Sequence, residues 1–365
     1  MELITKVELP SKCCEIKHSE RIMLIGSCFA DNIGNKLEEN KFHCDRNPFG
    51  VLYNPMSIHT ALSQLADNKV YTPDDLMCYN NTWFSLMHHS SFSSYDIDEC
   101  LNNINTRMMK SSCELKTADW LILTFGTARV YTWNNTSTRN NTSEVSGNAA
   151  CGTLRDISDK TITGKSLSDS RFYGKVVGNC HKLPEKYFSR HLLDVEEIVS
   201  AYKSLIDGLR QLNPKLRILF TVSPIRHAKD GMHGNQLSKS VLLLAVDRIC
   251  SVCDSCYYFP SYEIMMDELR DYRFYADDML HPSSLAVEYI WNAFISSFFG
   301  KETLNIMKQW EEVRRGLSHK PFNPKSEAYG RFISQILLKI EELKEKFTYL
   351  DVENEIKLCQ TLLKK

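Results

Sequence analysis

No stretch of this 365-residue chain comes near the roughly 20 consecutive apolar residues that a membrane helix needs. The opening MELITKVELPSKCCEIKHSE also lacks the apolar segment of a secretory signal. These two absences predict a cytoplasmic chain with no membrane partner. An excess of charge of either sign is missing too. The 44 Lys and Arg stand against 45 Asp and Glu, a net charge of −1, so no bulk positive field recruits nucleic acid and no such partner is expected. The 13 cysteines are odd in number and follow no framework, which fits reduced thiols better than disulfides. Internal repeats are absent as well. The sequons at Asn80, Asn134, Asn135, Asn140 and Asn141 matter only in a secreted eukaryotic chain, and here they read as Asn-rich loop.

What is present is ordinary for a globular protein: 43% hydrophobic and 24% charged residues, enough for one large domain or two modest ones. Short apolar runs alternate with segments of helical period. Arg21–Gly26 reads as a strand that turns sharply into a helix with Phe29, Ile33 and Leu37 on one face. A turn at Asn47-Pro-Phe-Gly50 follows, and Asn54-Pro55 opens a second helix to about Asn68, with a cap residue followed by proline. Residues 96–116 carry a third helix, and Trp120 to Gly126 a buried strand. Further helices are expected over 192–212, 238–253 and 285–299, with strands at 216–222 and 256–260. Such β-α alternation implies a parallel sheet with right-handed crossovers and helices on both faces. Two pieces lie outside it. Residues 133–190, rich in Asn, Ser, Thr and Gly, read as an insertion after the third strand. Residues 301–365, with Phe332, Ile336, Ile340, Leu343 and Phe347 at helical spacing, read as a helical appendage to a domain spanning 1–300.

In an open parallel sheet, ligands bind outside the carboxyl ends of the strands. The residues there are Gly26-Ser27-Cys28-Phe29-Ala30, the Gly50 to Asn54 stretch, Gly126-Thr127-Ala128-Arg129, Ser223-Pro-Ile-Arg226-His227 and Asp277-Asp278-Met-Leu-His281-Pro282. A hydroxyl nucleophile needs a base to take its proton and a carboxylate to orient that base. Ser27, His281 and Asp278 supply the three types. The D-x-x-H spacing lets Asp278 reach the Nδ1 of His281 across one turn and leaves Nε2 for Ser27. Ser27 also starts a helix, so its own N–H and the helix's positive end suit an oxyanion, with the Gly50 N–H as a second donor.

The string Gly26-Ser27-Cys28-Phe29-Ala30 resembles the signature of the GSCFA domain family, which is similar to SGNH/GDSL-type hydrolases. KFHCDRNPFGVLYNP, HHSSFS, LTFGTARVY, NCHKLP, TVSPIRH, YEIMMDELRDYRFYADDMLHPSS and AVEYIW extend the resemblance to about residue 300, the insertion excepted. The resemblance implies a flavodoxin-like three-layer α/β/α sandwich with a five-stranded parallel sheet. It also implies Ser27 as nucleophile, His281 as general base, Asp278 as its orienting partner and Gly50 as second-block oxyanion donor. The third block departs: SGNH enzymes carry a G-x-N-D-like string where this chain has Gly126-Thr127-Ala128-Arg129, so the usual Asn donor is missing. Asn54, Asn179 or the paired His88 and His89 stand as substitutes, and spacing does not choose among them.

Each residue also has a plainer role. Ser27 is a favoured helix N-cap, and Cys28 is a small buried hydrophobe. Cys250, Cys253 and Cys256 have a metal-site spacing but no second ligand pair, which favours core packing. His227 and the His88-His89 pair read as substrate-facing or structural rather than metallic. Arg226 and Arg129 suit an anionic substrate group. The sequence thus predicts an SGNH-like serine ester hydrolase that removes a small acyl group from an oxygen ester, a carbohydrate ester being one candidate, with no cofactor or metal. Acyl transfer to a sugar by the same triad, with the insertion excluding water, is one alternative. A non-catalytic binding protein, kept open by Ala128, is the other.

Overall fold

The computed structural model describes residues 5–10, 14–134, 170–324 and 326–364. Five strands, β1 (Arg21–Gly26), β2 (His43–Arg46), β3 (Trp120–Phe125), β4 (Arg217–Val222) and β5 (Cys256–Phe259), form one parallel sheet in the order β5-β4-β3-β1-β2. This is the flavodoxin-like order, and it reverses direction between β1 and β3. All six residues of β3 are buried, as expected of a strand covered on both faces. The period-2 alternation divides the neighbouring strands between two cores. Ile22 and Leu24 face α1 (Cys28–Glu39) and α6 (Ser284–Phe298), while Met23 and Ile25 face α2 (Pro55–Ala66), α3 (Ile97–Thr117), α4 (Val195–Leu212) and α5 (Gly231–Val252). Each fully buried aliphatic side chain contributes about 1.5–3 kcal/mol against the chain entropy. No helix among the described residues is long and apolar enough to cross a membrane.

Three departures from the sequence reading have local causes. Helix α4 begins at Val195 rather than 192, because Leu192 ends a strand (Phe188–Leu192) and Asp194 closes a capping box with Glu197. Helix α5 begins at Gly231, seven residues before the apolar stripe. The Asn235 side chain accepts the His227 N–H at 3.0 Å and the Ser238 hydroxyl accepts the Ala128 N–H at 2.7 Å, so bonds to neighbouring loops offset the weak propensity of Gly231 and Gly234. The flanks of the expected insertion are also ordered. Arg129–Trp133 pairs antiparallel with Phe188–Leu192 and with Val176–Val177, while the expected loop at 135–169, with Asn135, Asn140 and Asn141, lies outside the described residues. Asn80, a sequon residue, forms with Asn81 the left-handed turn of a hairpin joining Met77–Tyr79 to Thr82–Phe84.

The C-terminal region is helical: α7 (Lys301–Ser318), α8 (Glu327–Lys346) and α9 (Glu353–Leu363). They gather an apolar cluster around Trp310, Ile336, Ile340, Leu343 and Val352, with Phe332 and Phe347 at its margin. The Trp310 indole N–H donates to the Glu39 carbonyl at 2.9 Å, which ties this cluster to the end of α1.

Gly26 ends β1 in close contact with β3. A Cβ there would stand 2.3 Å from the Thr124 carbonyl oxygen, whereas Gly208, inside α4, has open space where its Cβ would lie. Gly26→Ala is therefore expected to cost at least about 1–3 kcal/mol in urea unfolding. Gly208→Ala is expected to stabilise by about 0.5–1 kcal/mol. Equal effects of the two changes would contradict this packing.

Candidate active site

The order reversal between β1 and β3 opens a crevice at their carboxyl ends, and Ser27 stands at its base. The Gly26 N–H donates to the Asn47 side chain at 2.9 Å and its carbonyl accepts the Leu52 N–H at 3.0 Å, which fixes the turn. Ser27 has an extended backbone and caps α1: its Oγ accepts the Phe29 N–H at 3.3 Å. The same hydroxyl donates to the Ser223 Oγ at 3.0 Å. The capping role is realised, and Ser27 is only 1% exposed.

His281 and Asp278 meet as their spacing predicts. The His281 Nδ1 lies 2.6 Å from one Asp278 oxygen, and the other oxygen accepts the Leu280 and His281 N–H groups, each at 2.9 Å. These bonds hold the Asp278 carboxyl down at about 2, so the ionised carboxylate fixes the ring with Nδ1 protonated. Nε2 then has a free lone pair, and no residue among those described bonds to it. The loop is tied to the chain after β4 by the Arg226 N–H, which donates to the Leu280 carbonyl at 3.2 Å.

His281 opens on a cleft of about 570 Å³ whose walls include Asn54, Asn179, Arg226 and His227. Five other expected site residues, Ser27, Gly50, Gly126, His89 and Asp278, are not on its walls. The Ser27 hydroxyl is bonded to Ser223 and not to His281. The amides proposed for the oxyanion are engaged: Ser27 N–H with the Thr124 carbonyl at 3.2 Å, and Gly50 N–H with the Asn47 carbonyl at 2.8 Å. Gly50 is instead needed for packing, since its φ is +78° and a Cβ would stand 2.2 Å from the His89 Cβ. The Gly126 N–H donates to the Tyr53 carbonyl at 2.7 Å. His89 bonds Ser91 through Nδ1 on an exposed turn. His88 is fully buried, stacked on Phe49 at 4.5 Å and bonded to the Ser85 hydroxyl, so it belongs to the core.

Side-chain donors remain. The Asn54 carbonyl oxygen caps α2 by accepting the Ser57 N–H at 2.8 Å, and that of Asn179 accepts the His181 N–H at 2.8 Å. The NH2 groups of both have no partner among the described residues. The His227 Nε2 is buried without a partner and lies 3.1 Å from where a Gly126 Cβ would stand. Burial, aided by the nearby Lys239 charge, pushes this imidazole down to about 4, so it is neutral at neutral pH. Arg226 turns its guanidinium away, toward the Met266 sulfur at 3.1 Å and the Tyr275 hydroxyl at 3.4 Å. Cys28 approaches the Tyr53 hydroxyl at 3.7 Å, and Cys253 and Cys256 join the apolar core.

The sequence reading missed Lys239. This residue of α5 is 1% exposed, and its ammonium donates to the Gly126 carbonyl at 2.7 Å and the Ser223 carbonyl at 2.6 Å. It lies in the run SKSVLLLAV, where a single lysine carries no sign of burial. Burial pushes its pKa down to about 7. Ser223, the partner of Ser27, was likewise visible only as one more residue after a strand.

Compared with known families, the chain matches the GSCFA family over residues 21–161 and 168–294, and the GSCFA domain protein, C-terminal domain, over residues 310–365. No curated protein matches it. Among solved structures it is similar to a Clostridium thermocellum family 3 carbohydrate esterase, at 12% identity and a TM-score of 0.30, over 80% of this chain and 98% of that one. A likeness this remote carries no argument about chemistry.

The burial of Lys239 sets a pH dependence. With a native pKa near 7 against about 10.4 unfolded, the unfolded chain binds more protons between these values, so this group makes stability rise with pH. Urea unfolding of the wild type between pH 7 and 9 is expected to gain up to about 1.4 kcal/mol per pH unit relative to Lys239→Met. A constant difference between the two proteins across that range would exclude a depressed pKa.

Proposed function

The chain belongs to the GSCFA family, and from that premise we propose that it is a serine ester hydrolase that removes a small acyl group from an oxygen ester. The observation that carries this reading is the Asp278–His281 pair at 2.6 Å, with its Nε2 unpaired in a cleft at the sheet edge where Ser27 begins α1. Asn54, Thr127 and Asn179 on the cleft walls can hydrogen-bond hydroxyls, which supports a carbohydrate as the alcohol.

For this chemistry the resting Ser27 hydroxyl must leave Ser223 and come within hydrogen-bond reach of His281. Its oxygen then attacks the ester carbonyl while Nε2 takes its proton. The oxyanion is met by the Asn54 NH2 and by the neutral His227 in its Nε2–H tautomer, donors that take over from the engaged amides. His281 returns the proton to the leaving alcohol. Water, deprotonated by the same Nε2, adds to the acyl-enzyme, and the acid leaves as Ser27 regains its proton. No cofactor enters this sequence.

One observation favours a second reading, a binding protein that keeps the fold: Ser27 is buried and its proton is already engaged. Turnover of small acyl esters by purified protein separates the two. Ser27→Ala and His281→Ala are each expected to lower kcat by about 10³-fold or more. His227→Gln is expected to lower it by about 10²–10³-fold. A fluorophosphonate should add to Ser27 in the wild type and not in His281→Ala. Absence of both adduct and turnover in the wild type would leave the binding reading in place.

A further inference from the structure

We propose that the cleft selects an ester carrying a carboxylate or phosphate group, held by the free edge of the Arg129 guanidinium; the inference rests on the hydrolase reading only for the word ester. Arg129 and Arg190 both line the cleft, and between them lies Asp230, whose side chain is 3% exposed. Arg190 grips this carboxylate with both terminal nitrogens, the Nη2–Oδ2 distance being 2.7 Å. Arg129 approaches it through Nε at 3.1 Å, an ion-pair contact without hydrogen-bond geometry. A single negative charge thus serves two guanidiniums, and the wall keeps a unit of positive charge.

That charge has a defined direction. The two terminal nitrogens of Arg129 have no acceptor among the described residues, although the side chain is only 26% exposed. Its backbone is held in place: Arg129 opens the strand paired with Phe188–Leu192, and its backbone N–H donates to the Thr127 hydroxyl at 3.1 Å. A guanidinium held to a buried carboxylate by one ion-pair contact, with its two terminal donors free, suits a two-oxygen anion. Its surroundings favour the same sign. Lys182 and Lys229 also line the cleft, and the ammonium of Lys239 lies just beneath, against the carbonyls of Gly126 and Ser223. Lys229 is matched by Glu185, so the excess on the wall comes from the two arginines against Asp230 and from Lys182. Net positive walls of this kind concentrate an anionic substrate at the mouth.

Two measurements test this. The first compares kcat/KM for neutral 4-nitrophenyl acetate with two anionic esters, mono-4-nitrophenyl succinate, charged on the acyl side, and 4-acetoxyphenyl phosphate, charged on the alcohol side. At least one anionic ester is expected to be preferred by about ten- to a hundredfold once corrected for intrinsic reactivity, and Arg129→Gln to collapse that ratio. The arm that shows the preference identifies the side that carries the charge. The second uses Ser27→Ala and ligand-observed NMR with succinate, inorganic phosphate and neutral dimethyl succinate. At least one of the two anions should bind, dimethyl succinate should not, and adding Arg129→Gln should weaken the anion about tenfold or more. Arg129→Lys, which keeps the charge and loses the fork, covers the case in which Arg129→Gln fails to fold. Equal treatment of neutral and anionic ligands by the wild-type chain overturns the inference even if esters turn over. Anion binding without any ester turnover retains it and removes the hydrolase reading.

Discussion

The bond pair that the site depends on is the one made by the buried ammonium of Lys239. Strands β3 and β4 lie side by side, and where they end the carbonyls of Gly126 and Ser223 converge on one point. Two carbonyl oxygens directed at the same volume repel each other, and each would be an unsatisfied buried acceptor. A donor with several protons resolves both problems at once. Burial makes the charged form costly, and the shift of the pKa toward neutrality measures that cost. A neutral amine still has two protons to give, so the bonds survive deprotonation. What they secure is the position of Ser223, the partner of the Ser27 hydroxyl, and of the chain leading to His227.

Ser27 sits under competing demands. Its oxygen accepts from the first turn of α1 and its proton goes to Ser223, an arrangement that stabilises the helix start without chemistry. A typical hydrogen bond contributes only about 0.5–1.5 kcal/mol net, so releasing the Ser27 proton from Ser223 costs little by itself. Asp278 and His281 are already assembled in the resting state. Around the crevice the side-chain donors of Asn54 and Asn179 have no partner among the described residues, while the Ser27 and Gly50 amides are committed to the turns that shape it.

The architecture was legible because its signals are local and redundant. Period-2 and period-3.6 patterns, the Asn54-Pro55 cap and the apolar run of β3 each point to a strand or helix independently, and their alternation fixes a parallel sheet. The D-x-x-H pair was legible for the same reason, since both groups sit on one turn. The Ser27–Ser223 bond, spanning 196 positions, and the burial of Lys239 were not. Lys239 follows from the convergence of two strand ends, a property of the assembled sheet, and no periodicity encodes it. The amides of Gly50 and Ser27 were misread as free because a motif states which residues are near a site, and not which of their N–H groups the intervening turns consume.

The departure in the third block has a physical explanation that joins two features otherwise unrelated. Ala128 is fully buried, and its N–H is held by the Ser238 hydroxyl at 2.7 Å. A side chain at that position points into the apolar core formed with α5. An Asn there would bury an unpaired amide instead of reaching an oxyanion, a cost of about 1–3 kcal/mol with no catalytic return. The same turn that takes residue 128 inward brings residue 129 into the cleft wall, where the string places an arginine. The inward Ala128 and the cleft-facing Arg129 are then a single consequence of how this turn packs against Ser238. In the proposed mechanism, stabilisation of the developing charge falls to side chains on other loops, Asn54 and His227, and the proposed anion recognition falls to the third block.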